Sequence, residues 1–246
     1  MENEKLAVVL AGGLGTRLRP VYRQGPKSMA PVAGRPFLEY LLLWLRSAGI
    51  GRVILCVGYK RLPIERWFGR GKKWGLEIAY AVEQEPLGTA GALKAAEKLI
   101  NTESFFVLNG DSFLDVDLRA MSEFHHHQNS RATIALAQVK DPDRYGSVSC
   151  DPQGRVVGFV EKGGAPEDSR DAPYINGGVY LLDRKILKDI PAGRAVSIEK
   201  EIFPALVGGD LYGFPASGYF VDIGVPHDFE RAQLEFPKRF RYDHPG

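Results

Sequence analysis

The first half of the chain alternates short apolar runs with helical patterns, and this alternation limits the fold more than any other feature. Runs of this length are typical of fully buried strands. Between the first two runs, residues 36–49 place apolar side chains on one helical face, and Gly49 supplies a helix stop signal. Strands that alternate with helices predict a mostly parallel sheet that is covered on both faces. The four predicted strands lie at 6–11, 52–58, 77–83 and 105–111.

The second half has strand patterns in quicker succession. This spacing predicts antiparallel or mixed strands that extend the first sheet. No linker rich in Ser, Pro or Gly separates the halves. We therefore expect an α/β protein with a Rossmann-like, three-layer α/β/α fold and a mixed, mostly parallel central sheet. The expected limits are one domain over 1–236, with lobes at 1–115 and 116–236, and a short tail at 237–246. The additional strands are predicted at 132–139, 146–151, 155–161 and 176–183.

A glycine-rich turn follows the first predicted strand, in the stretch LAGGLGTRLRP at 10–20. Gly12, Gly13 and Gly15 remove side chains where the backbone turns, so the backbone can approach a ligand closely. The spacing does not fit the dinucleotide-binding pattern G-x-G-x-x-G, because Leu18 stands at the last glycine position. The Walker pattern fails as well, since no Gly-Lys-Ser/Thr follows.

Two cations, Arg17 and Lys27, lie close to this turn in the sequence. For a random pair, solvated loop charges would be the simpler interpretation. Ligands of parallel sheets gather at the carboxyl ends of the strands, and this turn lies at such an end. The position therefore favours a polyphosphate ligand whose charge shifts during a reaction.

Two aspartates are predicted at the ends of strands, Asp111 in VLNGD and Asp222 in YFVDIG. A carboxylate at the tip of a buried strand is costly unless it is hydrated, hydrogen-bonded or bound to a cation. Either residue alone is explained equally well as the cap of a turn. Together with a phosphate-binding turn they favour Mg²⁺, which prefers oxygen ligands and bridges phosphates.

Composition excludes several other functions. The formal net charge is +2, with 32 basic and 30 acidic residues, so nothing in the bulk charge indicates binding to nucleic acid or to a membrane surface. No apolar run approaches the roughly 20 residues of a membrane span, and no secretory signal is visible. The two cysteines, Cys56 and Cys150, are expected to be buried thiols. We expect a cytoplasmic protein.

Seven segments resemble, in matching order, the sugar-1-phosphate nucleotidyltransferases, a family with a GT-A-like fold. Within that family, the pattern is most similar to the D-glycero-α-D-manno-heptose 1-phosphate guanylyltransferases, through residues 36–42, 197–204 and 219–233. One departure is Ser28, where relatives usually have proline after the lysine. The segments are LAGGLGTRLRP at 10–20, PK at 26–27, EQEPLGTAGAL at 83–93, VLNGD at 107–111, GFVEK at 158–162, YINGGVY at 174–180 and FVDIGVP at 220–226.

The resemblance implies a reaction between a nucleoside triphosphate and a sugar 1-phosphate, with GTP and a heptose 1-phosphate as the first choice. Mannose-1-phosphate guanylyltransfer, uridylyl or thymidylyl transfer to a hexose phosphate, and a non-catalytic sugar-nucleotide sensor stay open as alternatives. The oligomeric state is also open, with a homo-oligomer among the options.

The resemblance also implies a role for each site residue. Arg17 would hold the leaving phosphates, Lys27 would bridge the two reacting phosphates, and Asp111 and Asp222 would hold Mg²⁺. The first lobe would bind the nucleotide and the second lobe the sugar phosphate. The nucleotide-binding residues are Leu10, Ala11, Gly12, Gly13, Gly15, Thr16, Gln84, Gly88 and Thr89. The sugar-phosphate residues are Asn109, Tyr145, Gly146, Glu161, Lys162, Asn176 and Gly177.

Overall fold

The structure is a computed structural model, and it describes residues 5–13, 18, 20–58, 60–139, 145–160 and 174–240. The α-helices are α1 (Phe37–Ser47), α2 (Leu62–Phe68), α3 (Gly88–Ala95), α4 (Leu118–His127) and α5 (Pro226–Arg239). The strands are β1 (Leu6–Leu10), β2 (Pro31–Val32), β3 (Arg35–Pro36), β4 (Arg52–Val57), β5 (Glu77–Val82), β6 (Ser104–Asn109), β7 (Ser112–Leu114), β8 (Ala132–Ala137), β9 (Ser147–Cys150), β10 (Val156–Val160), β11 (Tyr174–Asp183), β12 (Leu211–Pro215) and β13 (Phe220–Asp222).

Nine of the described strands, from both halves of the chain, form one sheet. Its main order is β10-β9-β11-β6-β1-β4-β5, and β8 pairs with both β11 and β12. The strands β6, β1, β4 and β5 run parallel, whereas β11 runs antiparallel to β6, β8 and β9. The predicted α/β class with a mixed sheet is confirmed. The division of the domain into lobes at 1–115 and 116–236 stays a prediction.

Helices cover the sheet on both faces because each central strand is apolar on both sides. In β1, Ala7 and Val9 belong to the core cluster that contains α1, while Leu6 and Val8 belong to the cluster that contains α3. All four side chains are fully or almost fully buried. The result is the three-layer arrangement that the sequence predicts.

The register of the parallel strands brings their carboxyl ends to one edge of the sheet. Leu10, the last residue of β1, lies opposite Cys56 of β4 and Asn109 of β6. The residues that follow β1, β5 and β6 therefore come together at this edge. They include Gly12, Gly13, Glu83 and Asp111.

A separate two-stranded ladder carries the second half of the chain to the same edge. β7 begins directly after Asp111 and pairs antiparallel with β13, so that Ser112 lies opposite Asp222. The backbone N–H of Ile223 also donates a 3.0 Å hydrogen bond to the carbonyl oxygen of Asp111. Two segments far apart in sequence are thereby joined beside the sheet.

The last helix packs against the core beyond the boundary predicted at residue 236. α5 continues to Arg239, Phe236 is buried, and Phe240 packs against the same core cluster. Cys56 is a buried free thiol, as expected, whereas the free thiol of Cys150 is only partly buried. None of the helices in the described ranges is long and apolar enough to span a bilayer.

Candidate active site

Lys27 lies between the two strand-end aspartates. Its Nζ atom is 2.6 Å from Oδ2 of Asp111 and 3.5 Å from Oδ1 of Asp222. The side chain of Lys27 is only 8% exposed, while those of Asp111 and Asp222 are 40% and 22% exposed. A buried ammonium group is therefore balanced by two carboxylates that are still accessible to a ligand.

Local backbone structure holds these three groups in place. Lys27 begins a short 3₁₀ turn, Lys27–Met29, which follows Pro26. Asp222 ends β13, and its Oδ1 atom accepts a 2.6 Å hydrogen bond from the backbone N–H of Gly224. Ser28, the departure from the family pattern, is 3% exposed, and the 3₁₀ turn forms with serine at this position.

The donor set fits a magnesium ion. Oxygen atoms of Asp111 and Asp222 both lie within 3.5 Å of the Lys27 ammonium, which brings the two carboxylates together, and Mg²⁺ commonly binds to one or two carboxylates together with substrate phosphates and water. Within the described part of the chain, no group of three or more His, Cys, Asp or Glu residues forms a metal site. The site therefore suits a metal that arrives with a phosphate ligand.

A cavity of about 290 Å³ opens next to Asp111, at the carboxyl edge of the sheet. Seven of the residues predicted from the sequence line it, although Asn109 was predicted on the sugar side. Ala11 is buried, and its N–H donates to the carbonyl oxygen of Cys56. The cavity is lined by Leu10, Gly12, Gly13, Glu83, Pro86, Gly88, Thr89, Ala92, Asn109 and Asp111.

The polar side chain that lines this cavity just after β5 is that of Glu83, not that of Gln84. Glu83 is partly buried in the lining, whereas Gln84 is exposed and lies outside it. Glu83 directly follows Val82, the last residue of β5, whereas Gln84 is already in the bend that leaves the strand. The sequence signal was available, because Glu83 lies two positions after the buried Ala81 of β5.

Glu83 is held by the backbone around it. Its Oε2 atom accepts a 3.0 Å hydrogen bond from the N–H of Leu87. Burial raises the pKa of the Glu83 carboxyl, and the hydrogen bond from Leu87 lowers it in part. A Cβ atom at Gly12 would stand 2.8 Å from Oε1 of Glu83, so a larger residue there would displace the end of this side chain.

Helix α3 begins at the cavity and is capped by a distant segment. Gly88 has a φ of +71°, and a Cβ atom there would stand 2.5 Å from the carbonyl oxygen of Val196. That oxygen accepts hydrogen bonds from the N–H groups of Ala90 and Gly91. The hydroxyl of Thr89 accepts from the N–H of Ile198 at 2.8 Å.

Four of the predicted sugar-phosphate residues, Tyr145, Gly146, Asn176 and Gly177, lie in two neighbouring segments. The N–H of Asn176 donates a 3.1 Å hydrogen bond to the carbonyl oxygen of Gly146. The ring of Tyr145 packs edge-on against Phe220 with 5.4 Å between centroids. A Cβ atom at Gly177 would stand 2.4 Å from a methyl carbon of Leu114.

Two further residues at this site were missed by sequence reasoning. Asp228 of α5 is 3% exposed, and its Oδ2 atom accepts a 3.4 Å hydrogen bond from the hydroxyl of Tyr145. Glu199 accepts hydrogen bonds from Thr89 and Tyr180. Their partners Tyr145 and Thr89 lie far from them in the sequence, so no local pattern reveals these contacts.

Five predicted site residues, Gly15, Thr16, Arg17, Glu161 and Lys162, lie outside the described residues.

Comparison with known proteins gives concordant matches. A family model described as nucleotidyl transferase matches residues 6–239. The mannose-1-phosphate guanylyltransferase of Mycobacterium tuberculosis is 41% identical over 232 residues, which are 93% of this chain and 64% of that protein. The D-glycero-alpha-D-manno-heptose 1-phosphate guanylyltransferase of Aneurinibacillus thermoaerophilus is 41% identical over 230 residues, which are 93% of this chain and 97% of that protein. The chain thus spans less than two thirds of the length of the first relative and nearly all of the second.

Solved structures share the fold. HddC from Yersinia pseudotuberculosis superimposes with a TM-score of 0.81 at 36% identity, over 94% of this chain and 99% of that one, and it has also been crystallised with GMP-PN. A putative glucose-1-phosphate thymidylyltransferase from Bacillus anthracis gives a TM-score of 0.85 over 98% of both chains. At 24% identity, that second likeness concerns the fold alone.

Proposed function

The chain belongs to the nucleotidyl transferase family, and we propose that it transfers GMP from GTP to a sugar 1-phosphate, with D-glycero-α-D-manno-heptose 1-phosphate as the preferred acceptor. The match of the family model confirms, at the level of the family, the resemblance noted in the sequence. One observation carries the proposal. The buried ammonium of Lys27 lies between the carboxylates of Asp111 and Asp222, beside a glycine-lined cavity.

This arrangement supports an in-line displacement at phosphorus. A phosphate oxygen of the sugar 1-phosphate would form a bond to the α-phosphorus of GTP. The bond from that phosphorus to the β-phosphate oxygen would break, and pyrophosphate would leave with the electron pair. The nucleophile is already an anion, so no side chain has to remove a proton.

Catalysis would then consist of positioning and charge neutralisation. Lys27 would neutralise charge on the α-phosphate and on the incoming phosphate, because it is the described cation that lies between the two aspartates. Asp111 and Asp222 would hold Mg²⁺, which would offset the charge of the triphosphate when bound. Arg17, outside the described residues, stays the predicted ligand of the leaving phosphates.

Glu83 supports guanine as the base. The Watson–Crick edge of guanine presents two adjacent donors, N1–H and the N2 amino group, and an ionised carboxylate can accept from both. Uracil and thymine present only one donor on that edge. A carboxylate in the cavity lining therefore favours GTP over UTP and dTTP.

The choice of acceptor sugar rests on the relatives. Two D-glycero-alpha-D-manno-heptose 1-phosphate guanylyltransferases, from Aneurinibacillus thermoaerophilus and Campylobacter jejuni, match at 41% and 39% identity over nearly their whole lengths. Mannose 1-phosphate is the alternative acceptor, because a mannose-1-phosphate guanylyltransferase matches at 41% identity. A reducing, cytoplasmic setting is part of the proposal, and the free thiols of Cys56 and Cys150 support it.

A substrate panel tests the proposal. Heptose, mannose and glucose 1-phosphates are each offered with GTP, UTP, CTP or dTTP in the presence of Mg²⁺. Pyrophosphate release is measured, and the products are identified by mass spectrometry. We expect the highest kcat/KM for GTP with the heptose phosphate. A higher kcat/KM with mannose 1-phosphate would make mannose the acceptor sugar in place of heptose. A folded protein with no turnover on the whole panel would contradict transferase activity.

A further inference from the structure

A chain of hydrogen bonds connects the nucleotide cavity with the predicted sugar-phosphate residues, and Glu199 lies at its centre. Glu199 belongs to a π-helical turn, Ile198–Ile202, and its side chain is partly buried. We propose that Glu199 is a positioning residue that holds the two substrate sites in register with each other. This inference rests on the proposed function, since it assigns a role within the same site.

One oxygen of Glu199 fixes the start of α3. Oε2 accepts a 2.7 Å hydrogen bond from the hydroxyl of Thr89 and a 2.8 Å hydrogen bond from the hydroxyl of Ser197. Thr89 and its neighbour Gly88 both line the nucleotide cavity. The N-cap residue of α3 is Leu87, and its apolar side chain cannot accept a hydrogen bond.

The other oxygen of Glu199 contacts a buried tyrosine that leads to Asn176. Oε1 lies 3.5 Å from the hydroxyl of Tyr180, which donates to it. That hydroxyl accepts a 3.0 Å hydrogen bond from Nδ2 of Asn176. Tyr180 is fully buried, and its ring packs against Phe203 with 5.1 Å between centroids, so the hydroxyl has little freedom to move.

The orientation of Asn176 follows from these contacts. Its Oδ1 atom accepts a 3.0 Å hydrogen bond from the N–H of Gly178, and one Nδ2 hydrogen points to Tyr180. The amide is therefore fixed at both ends. Its second Nδ2 hydrogen is oriented by the same contacts, and a hydroxyl or phosphate oxygen of the acceptor can use it.

The chain of hydrogen bonds requires a carboxylate at its centre. Glu199 receives hydrogen bonds from three hydroxyl groups, and an ionised carboxylate is a pure acceptor with two oxygens. Glutamine keeps one acceptor oxygen but turns an amino group toward the other side. It can satisfy Thr89 and Ser197 or Tyr180, but not all three donors.

Four variants separate positioning from simple stabilisation. Glu199→Ala breaks the hydrogen-bond chain at its centre, and we expect KM to rise about tenfold for GTP and for the sugar phosphate, the low end of what is lost when a residue that orients a metal ligand is removed. In Glu199→Gln the single acceptor oxygen should stay with Thr89 and Ser197, because these two contacts are shorter than the 3.5 Å contact with Tyr180, so KM rises for the sugar phosphate alone. Tyr180→Phe gives that same selective change. The matched control is Glu201→Gln on the same turn, which weakens the 2.9 Å ion pair with Arg194 but keeps an amide oxygen that can accept from the N–H of Ser197, and its KM values stay those of the parent.

A second measurement does not depend on turnover. Calorimetric titration of GTP should give weaker binding to Glu199→Ala and parental binding to Glu201→Gln. A parent enzyme that turns over while Glu199→Ala keeps both KM values and its GTP affinity would overturn the role of Glu199 and leave the proposed function intact. The same holds if Glu199→Ala shows only a lower Tm. A parent protein that neither turns over nor binds GTP would overturn both.

Discussion

Lys27 donates a 2.6 Å hydrogen bond to Asp111, although the two residues are 84 positions apart in the chain. The same ammonium lies 3.5 Å from Asp222. A cation taken out of water in this way is retained only where it is balanced. The buried ion pair therefore indicates that these charges belong to a functional site and do not serve solubility.

Lys27→Ala should reduce kcat/KM by about 10²–10³-fold, because it removes a preorganised charge aimed at the reacting phosphates. Pyrophosphate release under saturating Mg²⁺ is the measurement. Lys72→Ala, on an exposed turn, serves as the control and should keep parental activity. Parental turnover in folded Lys27→Ala would remove this residue from the mechanism.

Asp222→Asn should raise the Mg²⁺ concentration needed for half-maximal activity, because the amide is a weaker ligand for a hard cation than the carboxylate. Activity is measured in a Mg²⁺ titration, with Asp189→Asn as a control for loss of a surface carboxylate that pairs with Arg131. An unchanged Mg²⁺ dependence in both Asp222→Asn and Asp111→Asn would exclude these residues as the metal ligands.

Glu83→Gln should lower the ratio of kcat/KM for GTP to that for UTP by about 10-fold or more, because one of two acceptors for the base is lost. Gln84→Ala is the adjacent control, and we expect it to leave the ratio unchanged, because Gln84 is exposed outside the cavity. The opposite result, a loss of selectivity in Gln84→Ala alone, would support the role predicted for Gln84 from the sequence.

The same ratio should depend on pH. Burial raises the pKa of the Glu83 carboxyl above the usual glutamate range. As the pH falls through that raised pKa, the carboxylate takes up a proton and becomes a poorer acceptor, so selectivity for GTP declines. The ratio cancels the titration of shared groups. In Glu83→Gln it should stay flat over the same interval, and a parallel decline there would assign the titration to another group.

Gly88→Ala should destabilise the fold by more than the roughly 1–2 kcal/mol that a left-handed conformation costs an L-residue. The added Cβ would also meet the carbonyl oxygen of Val196 at 2.5 Å. Gly193→Ala isolates the conformational part, because Gly193 has a similar φ of +74° and nothing within 4 Å of the added atom. Chemical denaturation gives both free energies of unfolding. Equal losses in the two variants would show that Val196 can move aside.

The central strands could be predicted to within two residues because they are buried on both faces. A continuous apolar run such as β1 or β4 carries that information locally. The short ladder of β7 and β13 could not be predicted, since three residues per strand give too little pattern and the pairing depends on the whole fold. The convergence of Asp111 and Asp222 was predicted from their chemistry, and the ladder is what achieves it.

The choice between Glu83 and Gln84 shows where sequence reasoning ends. Both residues are polar, both follow β5, and a shift of one position decides which faces the cavity. Glu199 was beyond reach for another reason. Its partner Thr89 is 110 positions away, and a glutamate on an amphipathic turn is ordinarily solvated.

Half of the carboxylate pair is supplied by β13, a strand of three residues near the end of the described chain. A polypeptide that stopped before Phe220 would retain each of the nine main-sheet strands and the lining of the nucleotide cavity. It would lack Asp222, the partner of Asp111, and also α5, whose Phe236 is buried in the core. A premature stop at this point would therefore remove a site carboxylate and core packing together, whereas Asp222→Asn removes the carboxylate alone.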